Sequence, residues 1–165
     1  MASAESRLAL LSLRPAQAAD EAFLFRLFGD TQDHLSLLRS NEALWNVLVD
    51  VQYRGRKTTY ETNYPAAEDF VLCRGGEAVG RLLINREVDC LRILDIAILA
   101  DFRGQGIGSW AVRQWQLLAE EIGARIELSV NPANPARWLY ERLGFRATDE
   151  DTMQVAMAWR SPSTS

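Results

Sequence analysis

Apolar residues fall along this chain in two rhythms, one of period two and one of three to four, and the switches between them mark out its elements. A short apolar run over residues 8–13, interrupted by Ser12, reads as a first strand that Arg14-Pro15 breaks. Asp20 then precedes Phe23, Leu24, Leu27 and Phe28, whose spacing predicts a helix with one buried stripe. Ser40 or Asn41 can cap a second helix whose apolar face is Leu44, Trp45, Leu48 and Val49. Tyr53, Tyr60 and Tyr64 follow among Arg54, Arg56 and Lys57, and Pro65 helps end that helix.

The strand period takes over at residues 70–73 and 78–84, on either side of Gly75-Gly76, a pair that supplies the positive φ angles of a tight hairpin. A second turn near residues 87–89 leads into an apolar run over 91–100, giving a three-strand antiparallel meander. Residues 106–122 then read as a helix, with Ile107, Ala111, Trp115, Leu118 and Ile122 on one face and Gly123 as its stop. Residues 125–130 form another strand, and the strand, helix, strand order predicts a right-handed parallel crossover, which makes the sheet mixed. A short helix over 134–143 stops at Gly144, and strands over 145–148 and 152–159 close the chain. The fold class is α/β, with one domain over residues 1–160 and a loose tail over 161–165.

Composition narrows the class. With 165 residues, 48% apolar and 24% charged, the chain can bury one core without metal or disulfide staples, and it resembles neither a disordered nor a membrane protein. A net charge of −4 and a pI near 5.1 argue against a nucleic-acid partner. Cys73 and Cys90 sit in strand-like surroundings with no metal-ligand spacing, so both read as reduced and mostly buried, and no metal site is expected. The start lacks a strongly basic leader and reads as the first strand of a cytoplasmic protein.

The chemistry concentrates at residues 98–110, ILADFRGQGIGSW, where a strand runs into alternate glycines and then into a helix. Unpaired N–H groups at a helix start, together with the helix dipole, favour an anion. Gly104, Gly106 and Gly108 remove the side chains that would keep a phosphate away, and Arg103 adds a positive charge. A nucleotide-binding P-loop fails here, because no Lys-Ser or Lys-Thr follows the glycines. A dinucleotide fingerprint would place its third glycine where Ser109 stands, although Glu127 lies about where a ribose-binding acid is expected. A glycine-rich turn without a ligand is the third reading.

The segment at 134–145, NPARWLYERLGF, separates these readings. With it, the chain resembles the GNAT superfamily of N-acetyltransferases. The superfamily's cofactor loop, [QR]-x-x-G-x-[GA], is matched by Arg103, Gly106 and Gly108, and its following motif by Asn134, Leu139-Tyr140 and Gly144-Phe145. The resemblance implies a mixed central sheet with helices on both faces and acetyl-CoA as cosubstrate. The cofactor would lie where two parallel strands splay apart, bonded by the main chain of Ile98, with its pyrophosphate on Arg103, Gly104, Gln105, Gly106, Ile107, Gly108 and Ser109, and with Asn134 nearby. An amine would attack the acetyl carbonyl directly. Tyr140 would protonate the departing sulfur, and Asp95, on the strand leading to the loop, is the candidate base.

Each of these residues also has a plainer reading. Asn134 before Pro135 is a good helix cap, Tyr140 can be a core aromatic, Gly144 a left-handed helix stop, Arg103 a surface charge, and Asp95 the partner of a helix residue. His34, in a polar segment, reads as solvated. The acceptor site is expected to draw on Tyr53, Tyr60 and Tyr64 with Asp33, Glu42 or Asp50. The acceptor would be a primary amine on a small molecule, with a protein N-terminus or lysine as the first alternative and a non-catalytic CoA-binding module as the second. A homodimer is compatible with the resemblance.

Overall fold

The computed structural model describes residues 8–162 and turns the strand rhythm into β1 (Leu11–Pro15), β2 (Glu68–Arg74), β3 (Glu77–Arg86), β4 (Cys90–Ile98), β5 (Arg125–Val130), β6 (Arg146–Glu150) and β7 (Val155–Trp159). The helical rhythm becomes α1 (Glu21–Asp30), α2 (Glu42–Asn63), α3 (Ile107–Ile122) and α4 (Ala136–Arg142). The strands form one sheet in the order β1-β2-β3-β4-β5-β7-β6. Among the described residues only the β4–β5 pair is parallel, and α3 makes the crossover between them.

The local chemistry explains most boundaries. Gly75 and Gly76 have φ values of 60° and 84°, so the β2–β3 loop is a two-residue turn that needs positive φ at both positions. Asn41 caps α2 by accepting the Leu44 N–H at 3.2 Å. Gly123 takes the left-handed conformation that ends α3. The first strand begins later than the apolar run suggests and includes Pro15. It lies at the sheet edge, where a residue without an N–H is tolerated at a strand end. Similarly, β4 stops at Ile98 because Phe102 donates its N–H to Leu99 and starts a tight turn.

Helices cover both faces of the sheet. Against one face, Val112, Trp115 and Ala119 of α3 and Tyr140 of α4 pack on Leu82, Ile84, Leu91, Ile93, Ile126 and Leu128. On the other, Leu27 of α1 meets Ala97 and Leu99, while Phe28, Val49 and Tyr53 join α1 to α2. Both cysteines are buried and unbridged. Among the described residues no helix is long and apolar enough to cross a membrane. At the end of the chain, Ser161 is buried and its hydroxyl donates to Glu120 at 2.9 Å, so the segment expected to be loose is anchored at its first residue. Residues 163–165 lie outside the described part.

A single irregularity in β4 positions the site. Leu83 pairs with Asp95 and Ile84 with Ile93, which leaves Leu94 without a β3 partner as a β-bulge. Without that extra residue, Asp95 would share the face of Ile93 and point into the core under α3. The bulge turns Asp95 and Ala97 toward α1 and α2, while Ile96 and Ile98 continue the α3 face.

Close strand approach at Gly80 gives a stability prediction. A Cβ there would stand 2.6 Å from the Ala97 carbonyl oxygen and 2.8 Å from Ile98 Cδ1. Gly80→Ala should therefore destabilise the fold by about 1–3 kcal/mol, as overpacking does. The check is a lowered urea midpoint at constant m; an unchanged midpoint would show that the strands part freely at this position.

A second prediction concerns acid. Asp20 accepts two bonds from the Arg14 guanidinium, at 2.7 and 2.8 Å, and the Gln17 N–H at 2.7 Å. The Arg14 bonds, with the Gln17 N–H second, hold its carboxyl down at about 2 against an ordinary 3.8. The stability this supplies is complete above the ordinary value and is lost as pH falls through that window toward 2. Urea midpoints measured across it should fall for the wild type and fall less for Asp20→Asn; parallel curves would remove Asp20 from the acid transition.

Candidate active site

The parallel pair holds together only where residues 90–92 meet residues 125–127. Beyond that, β4 and β5 diverge, and β5 keeps only β7 as a neighbour. The gap is a cleft lined by Leu94, Asp95 and Ile96 on one side and Leu128, Ser129 and Val130 on the other. It widens to about 510 Å³ where Ile98, Arg103, Gly108, Asn134, Leu139 and Tyr140 form its walls. Strand edges that part in this way leave backbone donors and acceptors for an extended polar ligand.

At the mouth of the cleft is the glycine loop. Gly104 and Gly106 have φ values of 73° and 82°, so the path of the chain itself requires glycine at both. The first bond of α3 is Trp110 N–H to the Gly106 carbonyl at 3.0 Å. The preceding N–H groups, from residues 104–109, make no backbone hydrogen bond among the described residues. They stand at the positive end of the helix dipole, as an anion site requires. Gly108 has ordinary helical geometry, and an added Cβ would meet Leu139 at a normal 3.6 Å. Its bareness is therefore set by neither backbone nor packing, and it faces the cleft.

Side chains pin this loop from behind. Ile107 is buried with Leu72, Val79 and Ala111. Gln105 accepts from Arg74 at 2.6 Å and donates to the Asp101 carbonyl at 3.2 Å, which leaves its main chain to serve a ligand. Ser109 is half-buried in the first turn of α3. Arg103 donates from Nε to the Ile98 carbonyl and from Nη2 to the Asp30 carbonyl, both at 3.0 Å, tying the loop to the end of α1. Asn134 accepts the Ala136 N–H at 2.9 Å in the turn that leads into α4, and it lines the cleft.

Tyr140 is a core aromatic that also borders the cleft. It is 3% exposed, packs on Phe145 with ring centroids 5.6 Å apart, and lines both branches of the cleft. Its hydroxyl makes no hydrogen bond among the described residues. Burial first, and the charge of Asp95 second, push its pKa above the ordinary phenol value, so it keeps its proton at physiological pH.

Asp95 is differently placed from a free base. Its carboxylate pairs with Arg56 at 3.1 Å and faces Arg81 at 3.8 Å, and Arg81 in turn forks onto Asp69 at 2.8 and 2.9 Å. With its oxygens shared between two guanidinia, Asp95 serves here as their counter-ion. Arg56 also donates to the Tyr60 hydroxyl at 3.0 and 3.2 Å, and Tyr60 donates to the Leu94 carbonyl at 3.0 Å. The bulge is thus held from α2.

A second cavity, of about 190 Å³, lies between α1, α2 and the sheet. Tyr53, Tyr60 and Tyr64, the aromatics expected at the acceptor site, all line it. Tyr53 donates to Glu21 at 2.9 Å, and burial, reinforced by that carboxylate, raises its pKa. Of the acids expected there, Asp33 lines the cleft instead, Asp50 is paired with Arg54 at 2.9 Å, and Glu42 lines neither space. Glu21, Glu61 and Asp69 supply the carboxylates, with Arg56 and Arg81 beside them. Part of the signal for this half-buried pair was present, because Arg81 and Asp95 each interrupt an apolar strand, but only the bulge puts them on one face. His34 is exposed. Among the described residues no group of three or more potential ligands could hold a metal ion.

The sheet parts over an anion-ready helix start, and comparison with known proteins gives the family. The model of the Acetyltransferase (GNAT) family matches residues 36–145, and the chain belongs to that family. Its fold is similar to the PaiA N-acetyltransferase of Thermoplasma acidophilum in complex with coenzyme A, at 13% identity and TM-score 0.70 over 92% of this chain and 99% of that one. An acetyltransferase of Thermus thermophilus is similar at 22% identity and TM-score 0.68, over 94% and 99% of the two chains. The ribosomal-protein-S18-alanine N-acetyltransferase of Escherichia coli is similar at 17% identity and TM-score 0.65, over 91% and 93%. No curated protein matches the sequence.

Proposed function

We propose that this protein transfers the acetyl group of acetyl-CoA to a primary amine on a small molecule, by direct attack within a ternary complex. The observation that carries this reading is a pair of adjoining spaces, the cleft between β4 and β5 and the pocket of about 190 Å³ under α1 and α2. Such a pocket suits a compact amine better than a length of polypeptide.

The residues present fit acetyl-CoA. The free N–H groups over residues 104–109 suit its pyrophosphate, and the unpaired edge of β4 suits its amide-bearing arm. Gly108 and Asn134 leave room and polar contact between them. Holding amine and thioester side by side turns a two-body encounter into an oriented attack, so no covalent enzyme intermediate is needed. Tyr140 is the acid that protonates the departing sulfur. Asp95 holds Arg56 and Arg81, and the amine's proton leaves through water.

The test is incubation with acetyl-CoA and a panel of small amines and free-N-terminal peptides, following release of the CoA thiol. Turnover with small amines is the expected result. Turnover with peptides alone would move the acceptor class to proteins, and acetyl-CoA binding without turnover on any member would leave a binding module.

A further inference from the structure

We infer that Arg56 is a further catalytic residue, its guanidinium donating to the acetyl oxygen as negative charge builds there; this rests on the amine acetyl transfer proposed above. Arg56 alone, among the described residues, lines the acceptor pocket and both branches of the cleft. An amine held in the first space and a thioester held in the second meet where those spaces adjoin, which is at this side chain.

Its contacts leave one edge of the guanidinium available. Nε and Nη2 are taken by the Tyr60 hydroxyl and Asp95, and the Tyr60 ring lies 5.3 Å from the guanidinium carbon. Nη1 makes no hydrogen bond among the described residues. The guanidinium is planar and keeps its charge, so fixing one edge also fixes the direction of the N–H groups on the other. Tyr140 lines the same part of the cleft from α4, placing a cation and a proton donor around one point.

The step balances as follows. The amine lone pair forms the N–C bond while the carbonyl π pair moves onto oxygen, where Arg56 donates. The C=O bond re-forms and the C–S bond breaks with its pair on sulfur, which takes the Tyr140 proton. Water accepts a proton from the new amide nitrogen and returns one to Tyr140. A preorganised donor aimed at such an oxyanion is worth roughly 10²- to 10³-fold in kcat.

The experiment compares wild type, Arg56→Met, Arg56→Lys and the double variant Arg56→Met/Asp95→Asn, which also removes the carboxylate that Arg56 neutralises together with Arg81. Thiol release is measured with the best amine of the panel, acetyl-CoA affinity by calorimetry and folding by thermal melting. Expected is a fall in kcat of roughly 10²-fold or more in both Met variants, with acetyl-CoA Kd and acceptor KM near wild type, and partial recovery in Arg56→Lys. Wild-type kcat in a folded Met variant overturns the inference. So does a loss confined to the acceptor KM, which would make Arg56 a binding group for an acceptor anion. If neither Met variant folds, Arg56→Lys decides, with lowered kcat supporting the role and unchanged kcat overturning it. A wild type that binds acetyl-CoA but acetylates no member of the panel overturns the proposed function, and this inference with it.

Discussion

Tyr140→Phe should keep the fold and the affinity for acetyl-CoA yet lose roughly 10²- to 10⁴-fold in turnover, the usual worth of general acid catalysis. The ring supplies the packing against Phe145, and Phe retains it. Only the hydroxyl is lost, and that hydroxyl makes no hydrogen bond within the described structure, so its removal strands no buried partner. Because burial raises the Tyr140 pKa, the wild-type rate should show no alkaline loss from this group through the physiological range. Stopped-flow thiol release with a fixed amine measures the chemical step. Wild-type turnover in a folded Phe variant, with sulfur departure rate-limiting, would leave Tyr140 a core aromatic.

The second large effect is expected at Gly106. Its φ of 82° is strained for any residue with a Cβ and most of all for a β-branched one. Gly106→Val should twist the start of α3 and turn its N–H groups away from the pyrophosphate. Losing one hydrogen bond to a charged group costs about 1.5–3 kcal/mol, roughly 10- to 150-fold in the Kd for acetyl-CoA. Calorimetric titration of the folded variant measures it. Because the loop's neighbours touch an added Cβ only lightly, with Leu8 Cδ2 at 3.8 Å, the fold itself should tolerate the change better than binding does. Unchanged affinity in a folded Gly106→Val protein would separate the loop from the phosphate.

The two halves of the site differ in how far they could be read from the sequence. The cofactor side is local. A positive-φ loop, a helix start and a short helix each leave their marks within a few residues, which is why the sequence singles out residues 103–109, Asn134 and Tyr140, of which Arg103, Gly108, Asn134 and Tyr140 line one cleft. The pocket proposed for the acceptor is assembled from α1, α2, β2 and β3, and the polar contacts around it join residues far apart in sequence, such as Glu21 with Tyr53 and Arg56 with Asp95. Hydrophobic periodicity does not encode such pairs. It marks only that Arg81 and Asp95 interrupt apolar strands.

The bulge at Leu94 was equally silent. Residues 93–98, ILDIAI, read as an ordinary apolar strand interrupted by one acid, and the extra residue becomes visible only when β3 is laid beside β4. Yet it decides whether Asp95 faces the core under α3 or the Arg56 and Arg81 guanidinia on the α1 and α2 side. Strand ends were misjudged for a related reason, since pairing partners rather than local propensity set where β1 begins and β4 stops.

Transfer within a ternary complex, across the junction of cleft and pocket, is tested most directly by initial rates measured while acetyl-CoA and the amine are varied together, with labelled acetyl followed into the product. Intersecting double-reciprocal lines, with all of the label on the amine and none on the protein, are the expected result. Parallel lines with an acetylated protein intermediate would contradict it.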